Sequence, residues 1–426
     1  MNQTVGVERN AIKHSDPLLW ISLFLLVFDR LWGVVYAHTV FQKPVVIYIS
    51  FVLLFVLFIG IGVKYGFGKR TKLSTVWLPY LIITILGYLV QLRVQDMTYW
   101  FVCLIMILVA AKTPFNKEAP FKLIFWSGVF CSVGILFEML FPAVYFSNVD
   151  PIFVHNIDNF AEITMENVGF AGFTYQLDTT ARPIIMAEMV LLCLREKLFD
   201  KQLRNNVVYY VIVGLMIGFV LLAGKRTYSI IAVLMPFILY FFTRKNIFDK
   251  FIFSLVITVI IIVTIRFFLL NLDNLSDSLF FRRFVVSYQE YSMGMDISSG
   301  RTSLSDLAWK AFETNPIFGI GVGRFISVTH AYTDVHNTYL QTLCEQGIFG
   351  FSFYILGVVY SFFHTLKLIR HGSDFSQLPY LKFSFALQVF YILYCFTGNE
   401  NIGTGQVFYF MAIAIAINAE KQSKFI

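Results

Sequence analysis

Apolar runs of about twenty residues recur along this chain, and they constrain its fold more than any motif does. A helix needs about 20 mostly apolar residues to cross a hydrocarbon core of about 30 Å. Twelve segments approach that pattern: 18–38, 44–63, 76–91, 97–111, 121–141, 180–196, 207–223, 227–243, 250–270, 339–363, 379–397 and 404–419. Several are short and must extend into their flanks. Of the 426 residues, 58% are hydrophobic and only 14% are charged, against about 25% charged in soluble domains. Too few charges remain to cover a water-exposed surface. That excludes a soluble enzyme, a disordered chain and a secreted disulfide scaffold. The expectation is an all-α polytopic membrane protein of about twelve transmembrane helices, one integral domain over 1–426.

Charge supplies the orientation. The net charge of +7 reads as a positive-inside bias rather than a nucleic-acid surface. Lys64, Lys69, Arg70 and Lys72 share one short inner segment, Arg195, Lys197, Lys201 and Arg204 another, and Arg244, Lys245 and Lys250 a third. All fall on the side of the N-terminus, so both termini are expected in the cytoplasm. The first apolar run is broken by Asp29-Arg30 and lacks a small-residue cleavage site, and it is expected to remain as a helix. Cys103, Cys131, Cys193, Cys344 and Cys395 lie in apolar runs with no CxxC pair, which makes them small buried hydrophobes rather than disulfide or zinc partners.

Two segments expected outside stand out by length. The first, 142–179, carries Asp150, Asp158, Glu162, Glu166 and Asp178 without a Lys or Arg. The second, 271–338, joins the ninth and tenth spans and is expected to be partly helical. Its stretch SLSDLAWKAFETNP places Leu304, Leu307, Ala308, Ala311 and Phe312 on one helical face and ends before Pro316. Gly319, Gly321 and Gly323 then predict a tight turn. Residues 207–243 would make a helix about 55 Å long, too long for one span, so AGKRT at 223–227 is the expected break.

Chemistry must come from what is present. The chain has no P-loop, DxD, HExxH or CxxC, and no metal or other cofactor is expected. On the outer side the topology collects Arg182, Lys225, Arg226, Arg301, Arg324, His336 and Asn337. Charges at membrane depth are costly and usually serve a ligand or a partner. Guanidinium groups bind phosphate oxygens in a bidentate fork and stay charged at any relevant pH. Several of them facing outward predict an anionic ligand such as a diphosphate, whose departure they would stabilise. His336 adds an imidazole, whose unperturbed pKa suits proton transfer near neutrality. Glu345, about 10 Å down the tenth helix, is read as a partner for an arginine. Plainer readings stand beside these: Arg226 as a headgroup anchor, Arg301 paired with Asp296 or Asp306, and Arg182 paired with Glu188.

The stretch GRTSLSDLAWKAFETNPIFGIGVGRF followed by HNTYLQTLCEQGIFG resembles the O-antigen ligase and O-antigen polymerase (Wzy) superfamily. The features are Gly300-Arg301, Trp309, Asn315-Pro316, the three glycines 319, 321 and 323, His336-Asn337, and Gly347 with Gly350. AGKRT is similar to the family's Ser-Arg motif, with Lys225 where Ser is common and Arg226 in place. The resemblance implies a GT-C-like bundle and a metal-independent glycosyltransferase of the bacterial plasma (inner) membrane, with its active site facing the periplasm or outside. Its substrates would be undecaprenyl-diphosphate-linked glycan donor and acceptor, with membrane lipid around them and a flippase and chain-length regulator as partners. On that pattern His336 acts on the acceptor hydroxyl, and Arg226 and Arg301 hold the leaving diphosphate. Arg182, Lys225, Arg324, Asn337 and Glu345 would complete the binding set. The expected function is a polysaccharide polymerase for O-antigen or capsule. The alternatives are a ligase to lipid A-core, a protein O-oligosaccharyltransferase and, from another class, a transporter of lipid-linked sugars.

Overall fold

The structure, a computed structural model, describes residues 71–111, 118–149, 169–174, 177–199, 206–243, 246–275, 278, 280–294, 300–371, 376–400 and 405–423, with positions 52, 56, 59, 60 and 63. Every regular element among them is helical. In chain order the longer helices are α1 (Lys72–Val90), α2 (Val94–Val109), α3 (Glu118–Leu140), α4 (Leu177–Leu198), α5 (Asn206–Leu222), α6 (Arg226–Thr243) and α7 (Ile247–Leu270). They continue with α8 (Arg282–Ser292), α9 (Arg301–Thr314), α10 (Phe325–Thr329), α11 (Thr338–His371), α12 (Leu378–Tyr394) and α13 (Gly405–Ser423).

Each expected span from 76–91 onward falls on one of these helices. Among the described residues, five helical stretches are long and apolar enough to cross a membrane by length and composition: Lys72–Val90, Pro120–Leu140, Arg226–Thr243, Phe248–Leu270 and Thr338–Arg370. The chain is a membrane-embedded helical protein. The expected span 18–38 lies outside the described residues, and of 44–63 only isolated positions are described.

The described residues divide into two compact units. One takes those up to 120 and from 301 onward, the other those of 121–300. In the first, α1 packs between α2 and α11, and α13 between α2 and α12. Trp77 sits at its centre with no exposed surface. Its Nε1 donates to Ser361 Oγ at 2.7 Å, and its ring meets Phe410 edge-on at 4.9 Å and Tyr409 at 5.6 Å. Gly357 makes room for that ring, since an added Cβ would lie 2.8 Å from it. Helix α9 lies on α11 through Leu304, Ala308 and Ala311, with Leu307 and Phe312 partly buried beside them. The apolar face expected for this helix is the one that packs. Trp309 leans on Phe312 with half its surface exposed.

In the second unit α4 packs against α5 and α6. Helix α3 approaches α4 at Gly128, where a Cβ would come within 2.6 Å of the Pro183 carbonyl oxygen. Glu138 Oε2 accepts from the Gly172 amide at 2.7 Å. The long apolar run 207–243 breaks where expected. Gly224, at φ +71°, separates α5 from α6. Helix α7 is different, because none of its most apolar window is buried. Its sequence has no glycine or alanine to admit a close neighbour.

Candidate active site

The glycine turn and the downstream GxxG are two halves of one device. Helix α11 is interrupted at Gly347, whose φ of 63° and ψ of −172° are non-helical. The break strips the carbonyls of Cys344 and Glu345 and the amides of Ile348 and Phe349 of helical partners, and buried backbone groups need replacements. The segment 316–321 provides them. Ile320 N donates to Cys344 O and Gly321 N to Glu345 O, each at 2.9 Å. Ile348 N donates to Pro316 O at 2.8 Å and Phe349 N to Ile317 O at 3.1 Å. Gly319, Gly321 and Gly323 all have positive φ, as the tight turn requires.

The Glu345 side chain completes the turn from inside. Its carboxylate accepts from Gly323 N at 2.8 Å, Phe325 N at 3.2 Å and Gln341 Nε2 at 2.7 Å. The expectation that it pairs with an arginine gives way here, because three N–H donors already occupy its oxygens. A turn that looks able to cradle a phosphate therefore holds a carboxyl group belonging to the chain itself. Truncating Glu345→Ala leaves these donors buried without their acceptor, each a loss of about 1–3 kcal/mol. The expected result is a fall of several degrees in the melting temperature of the purified protein, with Glu345→Gln falling less.

Gln341 carries the link onward. Its Oε1 accepts from Val335 N at 2.9 Å, and its Nε2 reaches Asp334 Oδ1 at 3.3 Å. Burial raises the Asp334 carboxyl above its ordinary range, opposed by the Arg93 guanidinium and then by the Gln341 amide. Next along the chain His336 is exposed, directly ahead of Asn337. Asn337 Oδ1 accepts from Leu340 N at 3.0 Å and so caps the start of α11. Thr338 is clamped beneath: its amide donates to Cys395 O at 2.8 Å, and its Oγ1 donates to Gly398 O and accepts from Glu400 N, both at 2.9 Å. The imidazole thus stands on a fixed backbone while its own side chain faces outward.

Arg301 opens α9, and that helix shares one small core with Val335, Phe325 and Cys344. The residue before His336 and the helix led by Arg301 are therefore packed on the same residues. Arg324 is exposed at the start of α10.

In the other unit, Arg226 is the first residue of α6, and its Nη1 donates to Ser287 Oγ on α8 at 3.0 Å. Arg182, in the first turns of α4, donates from Nε to Tyr228 Oη at 3.1 Å. Both arginines are thus tied to the start of α6, one through Arg226 itself and one through Tyr228. Lys225 is partly exposed in the break. Glu188, the plainer partner for Arg182, is fully buried and neither of its oxygens accepts a hydrogen bond.

The partners missed by sequence reasoning are Tyr228, Ser287, Gln341 and Arg93. Arg93 Nη1 donates to the Gly323 carbonyl, across 230 positions of chain. None of the four stands in a spaced motif. Only the placement of Tyr228 just after Arg226 offered a signal.

Residues 211–355 match the model of the O-antigen ligase family. No curated protein matches the chain. The matched segment is about a third of the chain and contains Lys225, Arg226, Arg301, Arg324, His336, Asn337 and Glu345. It spans both the break before α6 and the glycine turn against Gly347. Through this segment the chain is similar to the O-antigen ligase family.

Proposed function

We propose that the protein is a polysaccharide polymerase acting at the outer face of the plasma membrane, as one integral domain whose large outer loop, 271–338, carries part of the site. It joins undecaprenyl-diphosphate-linked repeat units. The acceptor hydroxyl oxygen attacks the anomeric carbon of the donor glycan and passes its proton to His336. The bond from that carbon to the diphosphate breaks, and the leaving group departs with the electron pair onto Arg226 and Arg301. Arg182, Lys225 and Arg324 extend the cationic surface for the diphosphate, while Asn337 and Glu345 serve by holding the His336 backbone and the glycine turn. Both termini lie in the cytoplasm.

The observation that carries this reading is the family match over the segment holding Arg226, Arg301 and His336 in a membrane-embedded chain. A second reading, ligation of finished glycan to lipid A-core, is favoured by the family's own description as an O-antigen ligase.

Deleting the gene and complementing it with wild type or His336→Ala separates the two. Single repeats on the normal anchor with no ladder, in both the null and the variant, are the expected result. Long polymer accumulating on undecaprenyl diphosphate over a bare anchor would establish the ligase instead. A full ladder from His336→Ala would sink the assignment of His336.

A further inference from the structure

No motif points to the turn Gln91–Arg93 between α1 and α2, yet it reaches the centre of the candidate site. Leu92 N donates to Leu89 O and Arg93 N to Tyr88 O, each at 3.1 Å, which is the Schellman pattern of a helix end. The residue in the left-handed position is usually glycine; here it is Leu92, at φ +56°. The backbone accepts that strain, and the turn delivers the next residue, Arg93, to the glycine loop.

Two contacts and one electrostatic influence meet at Arg93. Its Nη1 donates to the Gly323 carbonyl. Its Nε pairs with Asp96 Oδ2 at 3.0 Å, one helical turn along α2. Its charge also acts on Asp334, two residues before His336 and hydrogen-bonded to Gln341. The fit depends on bare backbone: a Cβ on Gly323 would lie 2.6 Å from Arg93 Nη1, and one on Gly321 3.3 Å from Gln91 Nε2. The guanidinium therefore touches the glycine turn and lies within electrostatic reach of the segment that presents the imidazole.

We propose that Arg93 is a positioning residue for glycosyl transfer: anchored by Asp96, it fixes Gly323 directly and, through Asp334, the backbone that carries His336. The proposal rests on the reading of His336 as the group that receives the acceptor's proton. A purely stabilising role fits poorly, because the Arg93 side chain is 48% exposed and ion pairs of that kind add little to stability. Geometry is what such a contact controls, and a displacement of about 1 Å can cost on the order of 100-fold in rate.

The test uses the purified full-length protein in liposomes with lipid-linked repeat units, measuring kcat, KM and melting temperature for R93M, R93K, D96N and H336A. R93M is expected to lower kcat on the order of 100-fold with KM little changed. R93K should recover part of the rate, and D96N should move in the same direction as R93M. A wild-type kcat in R93M while H336A is inactive overturns the proposal and leaves the transfer reading standing. Full activity in H336A overturns that reading itself, and the proposal with it. A change confined to KM would make Arg93 a substrate-binding group instead. If R93M also melts much lower, R93K decides. A native melting temperature with a still-lowered kcat supports positioning, and a native melting temperature with wild-type kcat assigns Arg93 to folding.

Discussion

Gly347→Ala is expected to destabilise the protein by about 3 kcal/mol and to abolish polymer formation. The backbone at Gly347 has φ 63° and ψ −172°, a region open essentially to glycine alone. A methyl group there would also meet the Ile317 carbonyl, and it would lie 2.6 Å from the Gly319 amide nitrogen. These atoms are backbone, so no rotamer change relieves the clash. The loop would have to leave the break in α11, taking with it the four hydrogen bonds from 316–321. The check is the melting temperature of purified protein beside the glycan ladder in complemented cells. Gly214→Ala is the control. An added Cβ at Gly214 meets nothing within 4 Å, so stability should hold or rise slightly. A Gly347→Ala protein that melts like wild type would refute the device described here.

The His336-Asn337 pair should separate chemistry from scaffolding. His336→Ala is expected to lower polymerisation by roughly 100- to 10,000-fold, the range for loss of a general acid or base. It should leave the melting temperature unchanged, because the imidazole is exposed. Asn337→Ala removes the acceptor for Leu340 N and is expected to cost about 1 kcal/mol of stability, with a smaller loss of rate. Measuring ladder formation and thermal unfolding on both variants tests this. Equal losses of activity with equal shifts in melting temperature would assign both residues to scaffolding.

The helices were legible because their signal is local. Apolar runs locate α1 to α7, α12 and α13 within a few residues, and the start of α11, which runs eight residues past its expected end; the face of α9 follows from the spacing of Leu304, Ala308 and Ala311. The break at Gly224 follows from length alone. The break at Gly347 does not, because a glycine within an apolar run reads equally well as a packing residue. Glu345 misleads for a related reason. A carboxylate about 10 Å down the tenth helix, on a chain with several arginines expected at the same face, suggests an ion pair, and only the fold shows that the amides of Gly323 and Phe325 reach it first. Arg93, Tyr228 and Ser287 were illegible because each acts on a partner fixed by tertiary packing. Asn337 was half legible: HN marks the site, but the Asn is spent on capping the helix.

The interruption of α11 also divides that helix in character. From Ile348 to Leu366 it runs roughly 28 Å, close to the thickness of the hydrocarbon core. Ile348, Leu356, Val359 and Phe363 are exposed along this part. Lys367 and Arg370 follow at its far end. The part before the break, Thr338–Gln346, buries Gln341, Thr342, Glu345 and Gln346, so the protein itself shields this polar half while the half beyond the break presents apolar side chains to its surroundings.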